Sequence, residues 1–140
     1  MNACAVQAFL PMVPPTVTHN DLEASVGRGG RPYIRKSERL REAEGAYMAR
    51  LAPLRPARPL SGPLRLTVRW CFPTDSEHAQ GEPMGEAPDL DNMCKSFQDC
   101  LTRAGIIDDD RHVVELRLSK AWSDPAGVWF RAEGIEGGAR

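Results

Sequence analysis

Residues 88–116 read PDLDNMCKSFQDCLTRAGIIDDDRHVVEL, and the acids in this stretch bracket one apolar-striped segment: Asp89 and Asp91 before it, Asp108, Asp109 and Asp110 after it. Pro88 biases the backbone around Asp89 towards an extended conformation, in which side chains two apart project to one side. Asp89 and Asp91 can therefore converge at a helix start, where the partial positive charge of the N-terminus favours ionised carboxylates. A hard cation such as magnesium needs such ligands: it takes few protein oxygens, keeps several waters and leaves room for phosphate oxygens. One or two such ions activate water and stabilise the leaving oxygen in phosphodiester hydrolysis. A return of the chain after Gly105 has the length to bring one of Asp108 to Asp110 back to the first pair.

Plainer roles are open to the same residues. An Asp before a helix serves as an N-cap, a DDD run serves as a solvated turn, and Asp91 with Lys95 or Asp99 with Arg103 has the spacing of a helix-surface pair. A calcium loop is excluded, because the sixth position from Asp89 is Cys94 where Gly is needed and the twelfth is Cys100 where Glu is needed. No Ser, Cys or His stands in a recognisable nucleophile motif.

The elements that must carry these residues follow from periodicity. Leu90, Met93, Phe97, Cys100, Leu101 and Ala104 recur at helical spacing and predict a helix over residues 90–104, with Gly105 as a left-handed C-cap. Leu40, Ala43, Tyr47, Met48 and Leu51 predict a second amphipathic helix from about residue 36 to 51, stopped by Pro53, Pro56, Pro59 and Pro63. Leu64, Leu66, Val68, Trp70 and Phe72 alternate with Arg65, Thr67, Arg69 and Cys71, a period of two that predicts a half-buried strand. Val114, Leu116 and Leu118 predict another running towards Trp122; the turn residues 124–127 then predict that it forms a hairpin with a last strand over residues 128–132. Residues 3–10 read as a further strand, residues 20–32 as a Gly- and Arg-rich loop, and residues 134–140 as a frayed tail. The expectation is one α+β domain over residues 1–133, a mixed sheet of about four strands with two main helices.

Composition narrows the partners. With 41% hydrophobic and 26% charged residues the chain has the balance of a globular domain, and no apolar run approaches the roughly 20 residues that span a bilayer. With no basic n-region before Pro14 and Pro15, a cytoplasmic location is expected. Cys4, Cys71, Cys94 and Cys100 form no CxxC pair and are read as reduced and mostly structural. The net charge of -1 hides a segregation: between residues 28 and 58 stand Arg28, Arg31, Arg35, Lys36, Arg39, Arg41, Arg50, Arg55 and Arg58 against Glu38, Glu42 and Glu44, whereas residues 75–91 carry only acids. The basic stretch suits contact with phosphates, and Arg28 and Arg31, flanked by glycine with no acid nearby, suit it best.

The string PDLDN, followed by Lys95, an amphipathic helix, AGII and then DDDRHVVEL, resembles the signature of the RusA family of crossover-junction endodeoxyribonucleases, strongly over residues 88–116 and more loosely from PPTVT onward. Pro88 departs from the basic residue that some relatives carry there. The resemblance implies a homodimer that resolves four-way (Holliday) DNA junctions by paired nicks with magnesium, for which manganese can substitute. It implies Asp89, Asp91 and Asp110 as metal ligands, Lys95 as a catalytic lysine and contact with DNA, and Arg28, Arg31, Arg35 and Lys36 gain a role as DNA contacts. The alternative is a protein of the same fold that binds branched DNA without cutting it; a small interaction protein with a cation-buffering loop is a third.

Overall fold

The computed structural model describes residues 4–18 and 22–135. Five alternate positions of β4 (Leu64–Phe72), Leu64, Leu66, Val68, Trp70 and Phe72, are buried, while Arg65, Thr67 and Arg69 are half-buried. That strand is the centre of a mixed four-stranded sheet. It pairs in parallel with β5 (Val113–Trp122) and antiparallel with β6 (Gly127–Gly134), which pairs antiparallel with β1 (Ala5–Pro11); the order is β1-β6-β4-β5. Two helices cover one face, α1 (Glu38–Leu51) and α2 (Leu90–Arg103). This is the expected α+β architecture. Ser37 caps α1 by accepting a hydrogen bond from Leu40 N at 3.0 Å. Gly105 leaves α2 at φ 76, a conformation in which a β-carbon is strained.

The core closes around Phe97. Its ring stands edge-on to Tyr47, Trp70 and Phe130 at centroid distances of 5.0, 6.1 and 5.6 Å, and Trp70 Nε1 donates to Tyr47 Oη at 3.1 Å. The indole and phenol thereby satisfy each other where water cannot reach. Cys94 and Cys100 pack here too. Burial pushes both thiols up to about 12, and no cysteine is in a disulfide, as expected of inert structural thiols.

Two expectations are corrected. β5 and β6 are not a hairpin, because β4 lies between them. Strand–helix–strand crossover through α2 sets β5 parallel to β4 on one side, and the short link after it carries β6 across to the other side of β4. The Gly- and Arg-rich segment is not simply a loop: β2 (Leu22–Val26) and β3 (Pro32–Lys36) form a separate two-stranded antiparallel ribbon joined by a 3-10 turn, with Gly29 and Gly30 at φ 79 and 76. Its apolar side chains give no amphipathic pattern, and Leu22, Val26, Tyr33 and Ile34 are all exposed. β6 runs through Gly134, and Ile135 N donates to Pro63 O; residues 136–140, the rest of the expected tail, lie outside the described residues, as do residues 1–3 and 19–21.

Candidate metal and nucleic-acid site

Asp89 occupies the N-cap position of α2 with extended backbone, φ -72 and ψ 142, yet its carboxylate makes no capping hydrogen bond. Asp91 stands in the first turn and accepts from Asn92 N at 3.0 Å. Both are exposed, as is Lys95 one turn further on. The ordinary duty of an N-cap aspartate is thus left undone, and the pair faces solvent at the positive end of the helix.

The segment that delivers Asp89 is pinned along the outer edge of β5. Gly81 N donates to Trp122 O, Trp122 N to Glu82 O and Met84 N to Lys120 O. Lys120 Nζ donates to Glu86 O, and to Pro88 O at 2.6 Å. The His78 ring stacks on Trp122 at 4.0 Å and 4°, with Nδ1 2.7 Å from Glu82 Oε2. Asp75 and Glu86 face its other nitrogen at 4.0 and 3.9 Å. The hydrogen bond to Glu82 raises the imidazole pKa above its ordinary 6.5, and the reciprocal bond lowers Glu82 below 4.5. The histidine contribution to stability is fully present below pH 6.5 and is lost as pH rises through the raised value; that of Glu82 is present above pH 4.5 and is lost as pH falls through the lowered value. His78→Gln should therefore lower the thermal midpoint most between those two pH values and progressively less above them. A pH-independent difference in calorimetric midpoints would remove the ion pair from the account.

Asp110 begins the 3-10 turn before β5 and lines an open cleft of about 210 Å³ with Lys36, Asp99, Thr102 and Arg103. Its neighbours are occupied locally. Asp108 Oδ1 lies 2.9 Å from His112 Nδ1, a bond that lowers its carboxyl pKa, and Asp109 caps the turn by accepting from Arg111 N at 2.9 Å. Beneath the cleft, the carboxylate of Glu44 is buried; its Oε1 takes Lys36 Nζ at 2.7 Å and Arg103 Nη1 at 3.3 Å, while Oε2 has no hydrogen-bond partner among the described residues. Arg103, one turn after Asp99 on α2, bonds Glu44 across the helix pair. The sequence reading missed this carboxylate, although its place on the Leu40, Tyr47, Leu51 stripe was the available signal.

The acids do not meet within one copy. Asp110 is beside the C-terminal half of α2, and from Asp91 to Thr102 that helix rises about 16 Å. Asp89 adjoins the Lys120 end of β5, about 23 Å of strand from Val113. Among the described residues no group of three or more His, Cys, Asp or Glu is close enough to hold a metal ion. The reason lies in topology: α2 crosses between parallel strands and runs against them, so its two ends lie at opposite ends of the sheet. The turn at Gly105 starts β5 at the wrong end for Asp110 to return to Asp89.

Arg28 and Arg31 are exposed at the turn of the β2–β3 ribbon and Arg35 is exposed along it. The ribbon joins α1 through Lys36, whose bond to Glu44 ties it to the body. The chain matches the family model described as Endodeoxyribonuclease RusA over residues 12–131. A search among curated proteins gives no match.

Proposed function

Because this chain belongs to the RusA family of endodeoxyribonucleases, we propose that it is a divalent-cation-dependent endonuclease that resolves four-way DNA junctions by paired symmetric nicks. The observation that carries this reading is the pair of exposed carboxylates at the N-terminus of α2, Asp89 with no capping bond and Asp91 accepting from Asn92 N, with Lys95 one turn away. Their all-oxygen, anionic donor set fits magnesium, or manganese in its place, as the pair of protein ligands such an ion takes; Asp110 of the same copy is out of reach. When bound, the ion supplies an activated water and neutralises charge on the leaving oxygen. Lys95 offers its ammonium to a phosphate beside the two acids, and the ribbon arginines Arg28, Arg31 and Arg35 hold the backbone of the junction arms without reading sequence. Paired nicks require two sites, hence a homodimer. No helix among the described residues is long and apolar enough to cross a membrane; the substrate itself argues for work in the cytoplasm.

Incubating an end-labelled four-way junction with the protein, with and without magnesium, tests the reading. Opposed nicks only with metal are expected; binding without nicks at any metal concentration overturns it in favour of a junction-binding protein. Binding should also weaken steeply with salt, by roughly 0.9 log units of affinity per log unit of salt for each phosphate neutralised. Arg28→Ala combined with Arg31→Ala should flatten that slope by about two phosphate equivalents in metal-free anisotropy titrations. An unchanged slope moves the DNA contact off the ribbon.

A further inference from the structure

We propose that the face of the sheet turned away from α1 and α2 binds single-stranded DNA, with bases stacked on Phe9 and Trp129 and phosphates held by Arg69 and Arg117. The inference goes beyond the proposed function and needs no cation.

The register of the four strands lays this face out in rows. Residues paired across neighbouring strands share a face, and Arg65, Thr67 and Arg69 of β4 point away from the buried side. In the first row Arg65 lies between Glu115 of β5 and Glu133 of β6 and bonds both, at 2.6 Å each. In the second, Thr67 lies between Arg117 and Arg131; Arg131 donates to Glu133 and to Gln7 of β1, the latter at 2.9 Å. In the third, Arg69 lies between Ser119 and Trp129, and Trp129 is opposite Phe9.

The charges on this face do not balance. Its two acids are taken by Arg65 and Arg131, whereas Arg69 and Arg117 have no hydrogen bond or ion pair among the described residues. Four arginines against two glutamates leave a positive surplus that a polyanion complements. A second copy laid face to face would set that surplus against itself.

The third row adds stacking to charge. A β-carbon at Gly127 would collide with the Phe9 ring and with the carbonyl oxygen of Leu10, so the glycine gives the ring its place. Phe9 is nonetheless 37% exposed, and Trp129 beside it is half-buried. One exposed aromatic is ordinary, but an aromatic pair in line with an unpaired arginine on a basic sheet face is the arrangement on which free bases stack while their phosphates are neutralised. Duplex DNA, whose bases are already stacked on one another, can use only the charges. The family cuts DNA, which selects DNA over RNA as the occupant.

The row also points to the acids. Ser119, at its β5 end, adjoins Lys120, whose ammonium holds the carbonyl of Pro88 next to Asp89. A strand crossing the row from Phe9 passes three strand spacings, about 14 Å, and arrives at the edge where Asp89 is delivered. Unpaired bases of a branched substrate are thus given a path towards Asp89 and Asp91.

Anisotropy titration of the full chain, without metal, against fluorescein-labelled oligothymidylate of about 12 nucleotides tests the inference, since surfaces of this kind occupy such lengths. Phe9→Leu keeps an apolar side chain beside Gly127 but removes the stacking face; it should weaken binding about ten-fold with an unchanged circular dichroism spectrum, whereas Phe9→Tyr should bind as wild type does. Blunt duplex of the same length should be bound equally by wild type and Phe9→Leu. Arg69→Gln combined with Arg117→Gln should flatten the salt dependence by about 1.4 log units of affinity per log unit of salt, at roughly 0.7 for each phosphate of a single strand. Folded Phe9→Leu that binds oligothymidylate as tightly as wild type, or that loses the same factor on duplex, overturns the inference. So does a shift from dimer to monomer in sedimentation with oligothymidylate affinity unchanged, which would make the face a contact between copies. Wild-type protein that nicks four-way junctions with magnesium but binds no oligothymidylate overturns this inference alone and leaves the proposed function standing.

Discussion

Asp91→Asn is expected to lower junction cleavage by about three orders of magnitude or more while leaving junction affinity within about two-fold. A loss of that size corresponds to roughly 4 kcal/mol of transition-state stabilisation, in the range that removal of a ligand to a catalytic cation withdraws. Affinity survives because it resides in cationic contacts with phosphates, and removing a negative charge beside DNA does not weaken them. Asp89→Asn should behave in the same way, and so should Asp110→Asn. The neighbouring acids separate the roles: Asp108→Asn should be nearly silent, since that carboxylate is engaged with His112, and Asp109→Asn should be intermediate, because its capping bond to Arg111 N shapes the turn that presents Asp110. Single-turnover cleavage at saturating magnesium decides the series. A near wild-type rate for Asp91→Asn would remove the cation from Asp89 and Asp91; full activity in Asp110→Asn would shift the third ligand to a neighbour.

Phe97→Ala should cost about 3–5 kcal/mol of folding stability. The ring is fully buried and, from α2, touches the aromatic side chains of α1 and of two central strands, so its removal leaves a cavity bounded by Tyr47, Trp70 and Phe130 that no single side chain can refill. Each edge-on aromatic contact adds to the loss beyond the area involved. A loss of this size is a large part of the roughly 5–15 kcal/mol that holds an ordinary domain together. Urea unfolding followed by tryptophan fluorescence measures it through the shift of the midpoint at constant slope. A loss below about 1 kcal/mol would mean that α2 can settle into the space, and that it is not held rigidly enough to position Asp89 and Asp91.

Local order was legible in the residues. The stripe from Leu90 to Ala104, the glycine that ends it, the alternation from Leu64 to Phe72 and the prolines that stop α1 are all patterns of one helical turn or one pleat, and each element formed close to where its pattern lies. The acidic motif, its lysine and the family it belongs to were legible for the same reason, since they are strings of adjacent residues. Relations between distant elements were not. Val114, Leu116 and Leu118 alternate as a half-buried strand does, but alternation says only that one face is apolar, not which body covers it; here β5 is an edge and its first half is open. β6 was assigned to β5 because a turn joins them, and the insertion of β4 between them follows from a crossover that no local period records. Glu44 is a charged residue on an apolar stripe whose carboxylate is held by Lys36 and Arg103, 8 residues before it and 59 after it. The acids at the two ends of α2 are near in sequence and far in space, because a helix that connects parallel strands must separate its own ends by its full length.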